Sequence, residues 1–513
     1  MSGTSITIDP LDLTGMNIKS KAKKAIPYSI GISMINVLVA LFGMVLLVRY
    51  LEAFEYGVYA LLSAMPIMMN RFFALGYDQY LTRYLPGIDN DQDVSYTVWH
   101  IISRRVLLTS CISLLLMLSF DWYSANFGLS DYYQHFFYYQ GIVVLFTAND
   151  LLRKALLARF SQKVILLNNI ITESLRVVII MYGVHHRLDL LFFIKGLLTV
   201  ELAGFIMIAI HFNRLYEMRY WFSLLQLRKE NREEKSYRWG SYIDKLGGSF
   251  LSTDIDRYIL AFISTNTQVA IYAISTKILT KILNFYPGRM FQHVIAPALY
   301  TTYDRNQLTS DLNRMFKFVY SANNIIGILF LAVFIPLGKD LLILVFHQDY
   351  IADAYWPLTF FLIFLVFNNI PLNFVAQAIK RPRILVISKL TFIFNLAVGI
   401  PAAFYFGALG MAIATASSGA IRNMIIFLLI NKHTKLVLPW VATLKSIFNG
   451  IVTILLLVLL DNSIEGLLLL KVLAGIMIYG ALSKANTVFD QEEHALFISL
   501  VPHKLQKFAS ALV

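Results

Sequence analysis

The chain has 513 residues, 58% of them hydrophobic and only 15% charged, and its 44 Lys and Arg against 31 Asp and Glu give a net charge of +13. So apolar a composition excludes a soluble enzyme of this length. Nucleic acid is not an expected partner either, because the basic residues follow membrane sidedness rather than forming one patch.

Residues 1–25 read as a cytoplasmic tail. Asp9 and Asp12 precede Lys19, Lys21, Lys23 and Lys24, without the separate hydrophobic core and cleavage site of a signal peptide. Apolar stretches of roughly 20 residues, enough to cross a hydrocarbon core about 30 Å thick, then recur along the chain. They fall at 26–48, 58–80, 101–121, 134–156, 164–184, 190–212, 243–263, 269–291, 317–337, 355–378, 386–406, 408–430, 442–460 and 464–482. Fourteen spans of this kind define an all-α polytopic membrane protein. Cys111, the lone cysteine, falls inside the third span, where a buried apolar thiol is inert and has no partner for an internal disulfide.

Lysine and arginine crowd every second gap. Arg153, Lys154, Arg159 and Lys163 gather around the fourth gap, and Lys380, Arg381, Arg383 and Lys389 around the tenth. The odd-numbered gaps hold only Arg49, Arg187 and Lys339. Basic residues mark the cytoplasmic side of short loops, so both termini are expected there, as an even number of spans requires.

The longest polar interruption, 213–242, reads as a cytoplasmic linker. Its first half mixes aromatics and charges like an interfacial helix, and its second is a mixed-charge run. It divides a six-span lobe at 26–212 from another at 243–430. A helix pair at 431–482 and a cytoplasmic tail at 483–513 follow. Gly57-Val58-Tyr59-Ala60 and Ala270-Ile271-Tyr272-Ala273 open corresponding spans of the two lobes. Both lobes start on the cytoplasmic side, so they are expected to be parallel repeats about an axis along the membrane normal. Transporters of that design hold their substrate between the repeats.

Charges at helix centres cost about 2.5–3.5 kcal/mol on insertion scales, so they face a bundle interior or water. Asn70 and Arg71 lie in the second span, and Arg71 has no acid three or four residues away. Glu173 and Arg176, three apart in the fifth span, can neutralise each other. Lys195 and Glu201 lie in the sixth span, Asp254, Asp256 and Arg257 in the seventh, Arg422 in the twelfth and Lys471 in the fourteenth. Lys277 and Lys281 share one face of the eighth span with Thr280 and Asn284, a polar stripe at helical spacing. Either these lysines line a cavity or they pair with Asp254 or Asp256. The cationic cavity is therefore expected to comprise Arg71, Arg257, Lys277, Lys281 and Arg422, with Asn70, Thr280 and Asn284 as hydrogen-bonding neighbours. Asp150, Glu201, Asp254 and Asp256 are the candidates for a coupling ion. Pro66 and Pro287 can kink the spans that carry these groups. No histidine sits at mid-membrane depth, and no phosphate loop or metal-spaced ligand set appears. No catalytic residue, metal or cofactor is expected.

Leu47-Val48-Arg49-Tyr50-Leu51-Glu52-Ala53-Phe54-Glu55-Tyr56-Gly57-Val58-Tyr59 resembles the first loop of the polysaccharide transporter (O-antigen flippase, Wzx-like) family. Asp256-Arg257-Tyr258-Ile259-Leu260 with Ala270-Ile271-Tyr272 resembles the start of that family's second lobe, and Gly407 to Thr415 its twelfth span. The resemblance implies a multi-pass bacterial inner-membrane flippase of the multidrug/oligosaccharidyl-lipid/polysaccharide exporter superfamily. Its implied substrate is a polyprenyl-diphosphate-linked glycan such as an O-antigen unit of lipopolysaccharide. A polysaccharide polymerase and glycosyltransferases are the implied protein partners, beside membrane lipids. Two rivals stand against that reading: a cation-coupled drug exporter of the same superfamily, and a non-transport component of a glycan-assembly complex. Deep cations argue against the first, and a scaffold needs no midplane charge.

Overall fold

The computed structural model describes residue 39 and residues 41–159, 161–216, 231–284, 286, 309–368, 371–379, 381, 383–463 and 466–488. Their regular structure is helical throughout. Eight helical stretches among them are long and apolar enough to cross a membrane, or nine if one bent pair counts as a span. The described residues therefore form a polytopic helical membrane protein, but the expected count of fourteen is not reached.

The shortfall has local causes. Most of the first expected span lies outside the described residues, and its described helix is α1, Leu41–Tyr50. The second is broken: α2, Ala53–Phe72, and α3, Tyr77–Tyr84, belong to a pair bent by 64°. The break contains Leu75 at φ 50° and Gly76 at φ 76°, in the left-handed region that ends helices. The third, fifth and sixth expected spans are single helices: α4, Asp91–Leu118; α7, Gln162–His185; and α8, Leu190–Leu215. Between them lie α5, Phe120–Phe127, and the fourth span, α6, Tyr133–Ala158. The charges of α6 leave it out of the apolar set. The seventh span is not one helix either, since α9, Arg232–Ser249, ends before α10, Thr253–Ile263, begins. Thus residues 232–242 of the segment read as a linker fold as helix. The eighth, α11, Asn266–Leu283, carries the lysine and threonine stripe and is too polar to qualify.

Later elements are α12, Thr309–Phe346; α13, Tyr355–Asn368; α14, Leu372–Ala378; α15, Arg383–Ser388; α16, Thr391–Asn431; α17, Trp440–Ser463; and α18, Leu468–Ala485. The eleventh and twelfth expected spans merge in α16, whose backbone leaves helical geometry at Gly407 (φ 54°, ψ −132°). Pro287 lies outside the described residues.

Capping follows the sequence. Asn90 accepts from Gln92 N–H at 3.0 Å to start α4, and Asp189 accepts from Phe192 N–H at 3.1 Å to start α8. Each satisfies a backbone donor that the first turn leaves open. On α4, Leu107, Leu114, Leu115 and Leu118 are exposed with Cys111. Cys111 is therefore on the outer apolar face rather than buried, which corrects the expectation for this thiol.

The described chain divides into two compact units. The first holds the described residues up to Leu51 together with Leu62–Leu246, and the second holds Glu52–Leu61 and the residues from Gly247 onward. These bounds differ from 26–212 and 243–430: the start of α2 belongs to the second unit, and most of α9 to the first. The first unit packs Leu81 of α3, Val98 of α4, Leu151 and Leu152 of α6, and Phe212 of α8 into one core. In the second unit Phe316 of α12, Leu372 and Val375 of α14, and Ile426 of α16 form a core, while Leu337 and Leu457 join α12 to α17.

Candidate functional site

Two clusters of buried polar side chains stand out, one in each unit. In the second unit, α10 presents Asp254, Asp256 and Arg257, all buried. Asp256 is fully enclosed. Its carboxylate accepts from Tyr272 Oη at 2.5 Å, Thr415 Oγ1 at 2.9 Å and Asn395 Nδ2 at 3.4 Å. Those donors come from α11 and from both arms of the kinked α16, so this one acid gathers three helical segments. Asp254 instead meets Arg257 at 3.5 Å, three residues on, and the Arg257 Nη2 donates to Thr276 Oγ1 at 3.5 Å.

Lys277, the next residue of α11, projects onto the start of α2. Its Nζ donates to Tyr56 Oη at 3.2 Å and lies 5.3 Å and 5.5 Å from the ring centres of Tyr56 and Tyr59. Stacking over aromatic faces stabilises an ammonium that is poorly hydrated. Gly57 makes this possible, since a Cβ there would stand 1.7 Å from the Asn266 carbonyl oxygen. Of the two readings open for Lys277, pairing with Asp254 or Asp256 is not what forms: Arg257 takes the first acid, neutral donors take the second, and Lys277 takes the tyrosines. Thr280 returns its hydroxyl to the Thr276 carbonyl at 2.8 Å and is exposed. Lys281 and Asn284 are half-buried further along the same helix, and Arg422 is half-buried on α16.

The cluster of the first unit contains residues that the sequence reading passed over. Arg105 on α4 is fully buried and donates to Asn70 Oδ1 at 2.7 Å, while Asn70 Nδ2 donates to Asp150 Oδ2 at 2.6 Å. Lys154, one turn from Asp150 on α6, pairs with it and with Asp78 of α3 at 3.0 Å. Lys245 of α9 also pairs with Asp78. A second polar ladder joins α6, α7 and α8. Arg153 bonds Asn169, Asn149 donates to Glu201 at 3.0 Å, and Arg176 meets Glu173 at 2.8 Å and Glu201 at 3.6 Å. Arg71 is half-buried in the last turn of α2, beside the break rather than at a helix centre.

Among the twelve residues expected to form the site, the structure brings Asp254, Asp256, Arg257 and Lys277 together in one unit and Asn70 and Asp150 in the other. The four acids differ in their partners. Asp150, Glu201 and Asp254 each face a basic partner, whereas Asp256 faces neutral donors. The phase of α4 was a usable signal for Arg105, because it falls on the buried face of Val98, Ile102 and Thr109. Asp78 and Lys245 gave none, since reading 58–80 as continuous hid the break that turns Asp78 inward.

This fold is that of transporters in the multidrug/oligosaccharidyl-lipid/polysaccharide exporter (MOP) superfamily. The lipid II flippase MurJ in its inward closed conformation is 13% identical, with a TM-score of 0.73 over 90% of this chain and 98% of that one. An inward-facing multidrug resistance transporter of the MATE family is also 13% identical, with a TM-score of 0.62 over 78% of this chain and 94% of that one. A MOP transporter from Pyrococcus furiosus, described as having a binding pocket of reverse polarity, aligns over 81% of this chain and 95% of its own with a TM-score of 0.52 at 13% identity. Curated protein sequences gave no significant match. The sequence profile of the polysaccharide biosynthesis protein family matches residues 22–302, more than half of the chain, and the protein belongs to that family.

Proposed function

We propose that the protein flips a polyprenyl-diphosphate-linked oligosaccharide, an O-antigen or other surface-polysaccharide unit, across the bacterial inner membrane by alternating access. In this reading the chain crosses the membrane fourteen times, keeps both termini in the cytoplasm, and works beside a polysaccharide polymerase and glycosyltransferases. The family assignment and the likeness to a lipid II flippase support it.

The observation that carries it is the Lys277 ammonium against the Tyr56 and Tyr59 rings. A diphosphate entering a low-dielectric interior needs charged donors, because its desolvation is otherwise prohibitive. Lys277 is held by a hydroxyl and two ring faces rather than by a carboxylate. An incoming phosphate therefore displaces only neutral contacts to reach its ammonium. The tyrosine faces also suit sugar rings, which stack on aromatics through their apolar C–H edges. Asp256 suits the coupling role, since its neutral donors can hand it to a proton or a sodium ion without breaking an ion pair.

Replacement of Lys277 tests the proposal with membrane abundance and surface glycan measured in the same cells. Lys277→Arg should retain much of the export, Lys277→Met should lose about tenfold, equivalent to ~1.4 kcal/mol, and Lys277→Glu should be worst. All three should accumulate normally. Full export by Lys277→Glu at normal abundance would remove the cationic site from the mechanism.

A further inference from the structure

The break between α2 and α3 is held by α9, and we infer that α9 is a latch whose docking decides whether the second span is bent. Arg238, Tyr242 and Lys245 are spaced by four and three residues, so they share one face of α9. Each reaches a different point of the break. Arg238 Nη1 donates to the Leu75 carbonyl at 2.9 Å, Tyr242 Oη donates to the Phe72 carbonyl, and Lys245 pairs with Asp78. The backbones also meet: a Cβ on Gly76 would lie 2.1 Å from the Arg238 carbonyl oxygen.

These contacts replace what the break removes. Phe72 ends α2, and its carbonyl takes a donor from outside the helix in Tyr242. Leu75 holds a left-handed backbone that a bulky residue adopts only at a cost. An unmet carbonyl away from water costs several kcal/mol. The bent form therefore depends on donors from α9, and a straight span would satisfy its own carbonyls and have no use for them. Asp78 is the release point. Lys154 and Lys245 share its Oδ2, so Asp78 keeps a cationic partner on α6 when Lys245 withdraws. Docked and undocked states are thus both compatible with a buried Asp78. Any step of the transport cycle that straightens the second span must first undock α9, whatever cargo is carried.

Thiol labelling tests this in the full-length protein purified in mild detergent, on a Cys111→Ser background. Ala74 lies within the break and is fully buried, as is Val143 on α6, far along the chain from it. Ala74→Cys should react slowly with N-ethylmaleimide. Adding Lys245→Met should speed that reaction about tenfold, equivalent to ~1.4 kcal/mol, with a smaller gain for Tyr242→Phe. Val143→Cys should stay slow in both variants. Lys245→Arg, which keeps a cation facing Asp78, should leave Ala74→Cys slow to label. Unchanged labelling of Ala74→Cys in both variants, or equal acceleration at Val143→Cys, would overturn the latch. Because labelling does not read glycan, the result is separate from the proposed cargo.

Discussion

At the scale of single residues, partners rather than positions decide what a buried charge can do. Arg176 lies between Glu173 and Glu201, which fits a neutralised pair better than a ligand site. Asp256 differs, because three neutral donors converge on it. Asp256→Asn keeps the shape but offers one carbonyl oxygen where the carboxylate offered two, and it removes the charge. It should leave membrane abundance near normal and abolish the dependence of export on the coupling ion, checked by following surface glycan under an imposed proton or sodium gradient. If export by Asp256→Asn keeps its response to both gradients, coupling resides in another acid. Arg105 predicts the opposite phenotype. Its guanidinium supports Asn70 and through it Asp150, so Arg105→Leu should destabilise the protein by about 1–3 kcal/mol, the cost of leaving a buried amide oxygen unsatisfied. That is read as a lower melting temperature of the purified protein. Lys at position 105, with one ammonium in place of a planar fork, should recover only part of it.

At the scale of helices, three breaks shape the two units, and they were unequally legible. The gap left at 407 coincides with the non-helical backbone of Gly407. There Gln268 Oε1 accepts from Ala408 N–H at 2.8 Å, and a Cβ on Gly407 would stand 2.3 Å from that same oxygen. Gly407→Ala should therefore lower stability by about 1–3 kcal/mol, the cost of a forced sparse backbone conformation, and Gln268→Leu should lower it by about 1–3 kcal/mol for an orphaned buried amide. Thermal unfolding of the purified variants measures both. The breaks at Leu75–Gly76 and Phe250–Ser252 were not legible. Hydropathy runs straight through both, and what holds the first is a set of donors from α9, more than 150 residues away in the chain.

At the scale of the whole molecule, the topology remains a prediction with a direct assay. A periplasm-active reporter fused after Gly128 should be active, and the same reporter after Glu230 should be silent. The reverse pattern would overturn the proposed orientation and the parallel repeats together. What the sequence by itself determined was the class: helices dominate because lipid forces every backbone group to be satisfied within its own segment, and composition alone reports that demand. It also located acids and bases that lie away from water, since their cost in lipid makes them rare and conspicuous. Which of them pair, and which stay available to a ligand or an ion, only the tertiary structure decided. Asp254 and Asp256 are two residues apart in one helix, yet one meets Arg257 and the other meets Tyr272, Thr415 and Asn395. Residues two apart on a helix face different neighbours, and two of those neighbours, Asn395 and Thr415, come from more than 100 residues downstream. No local pattern in the chain encodes that meeting, because it depends on how the helices pack.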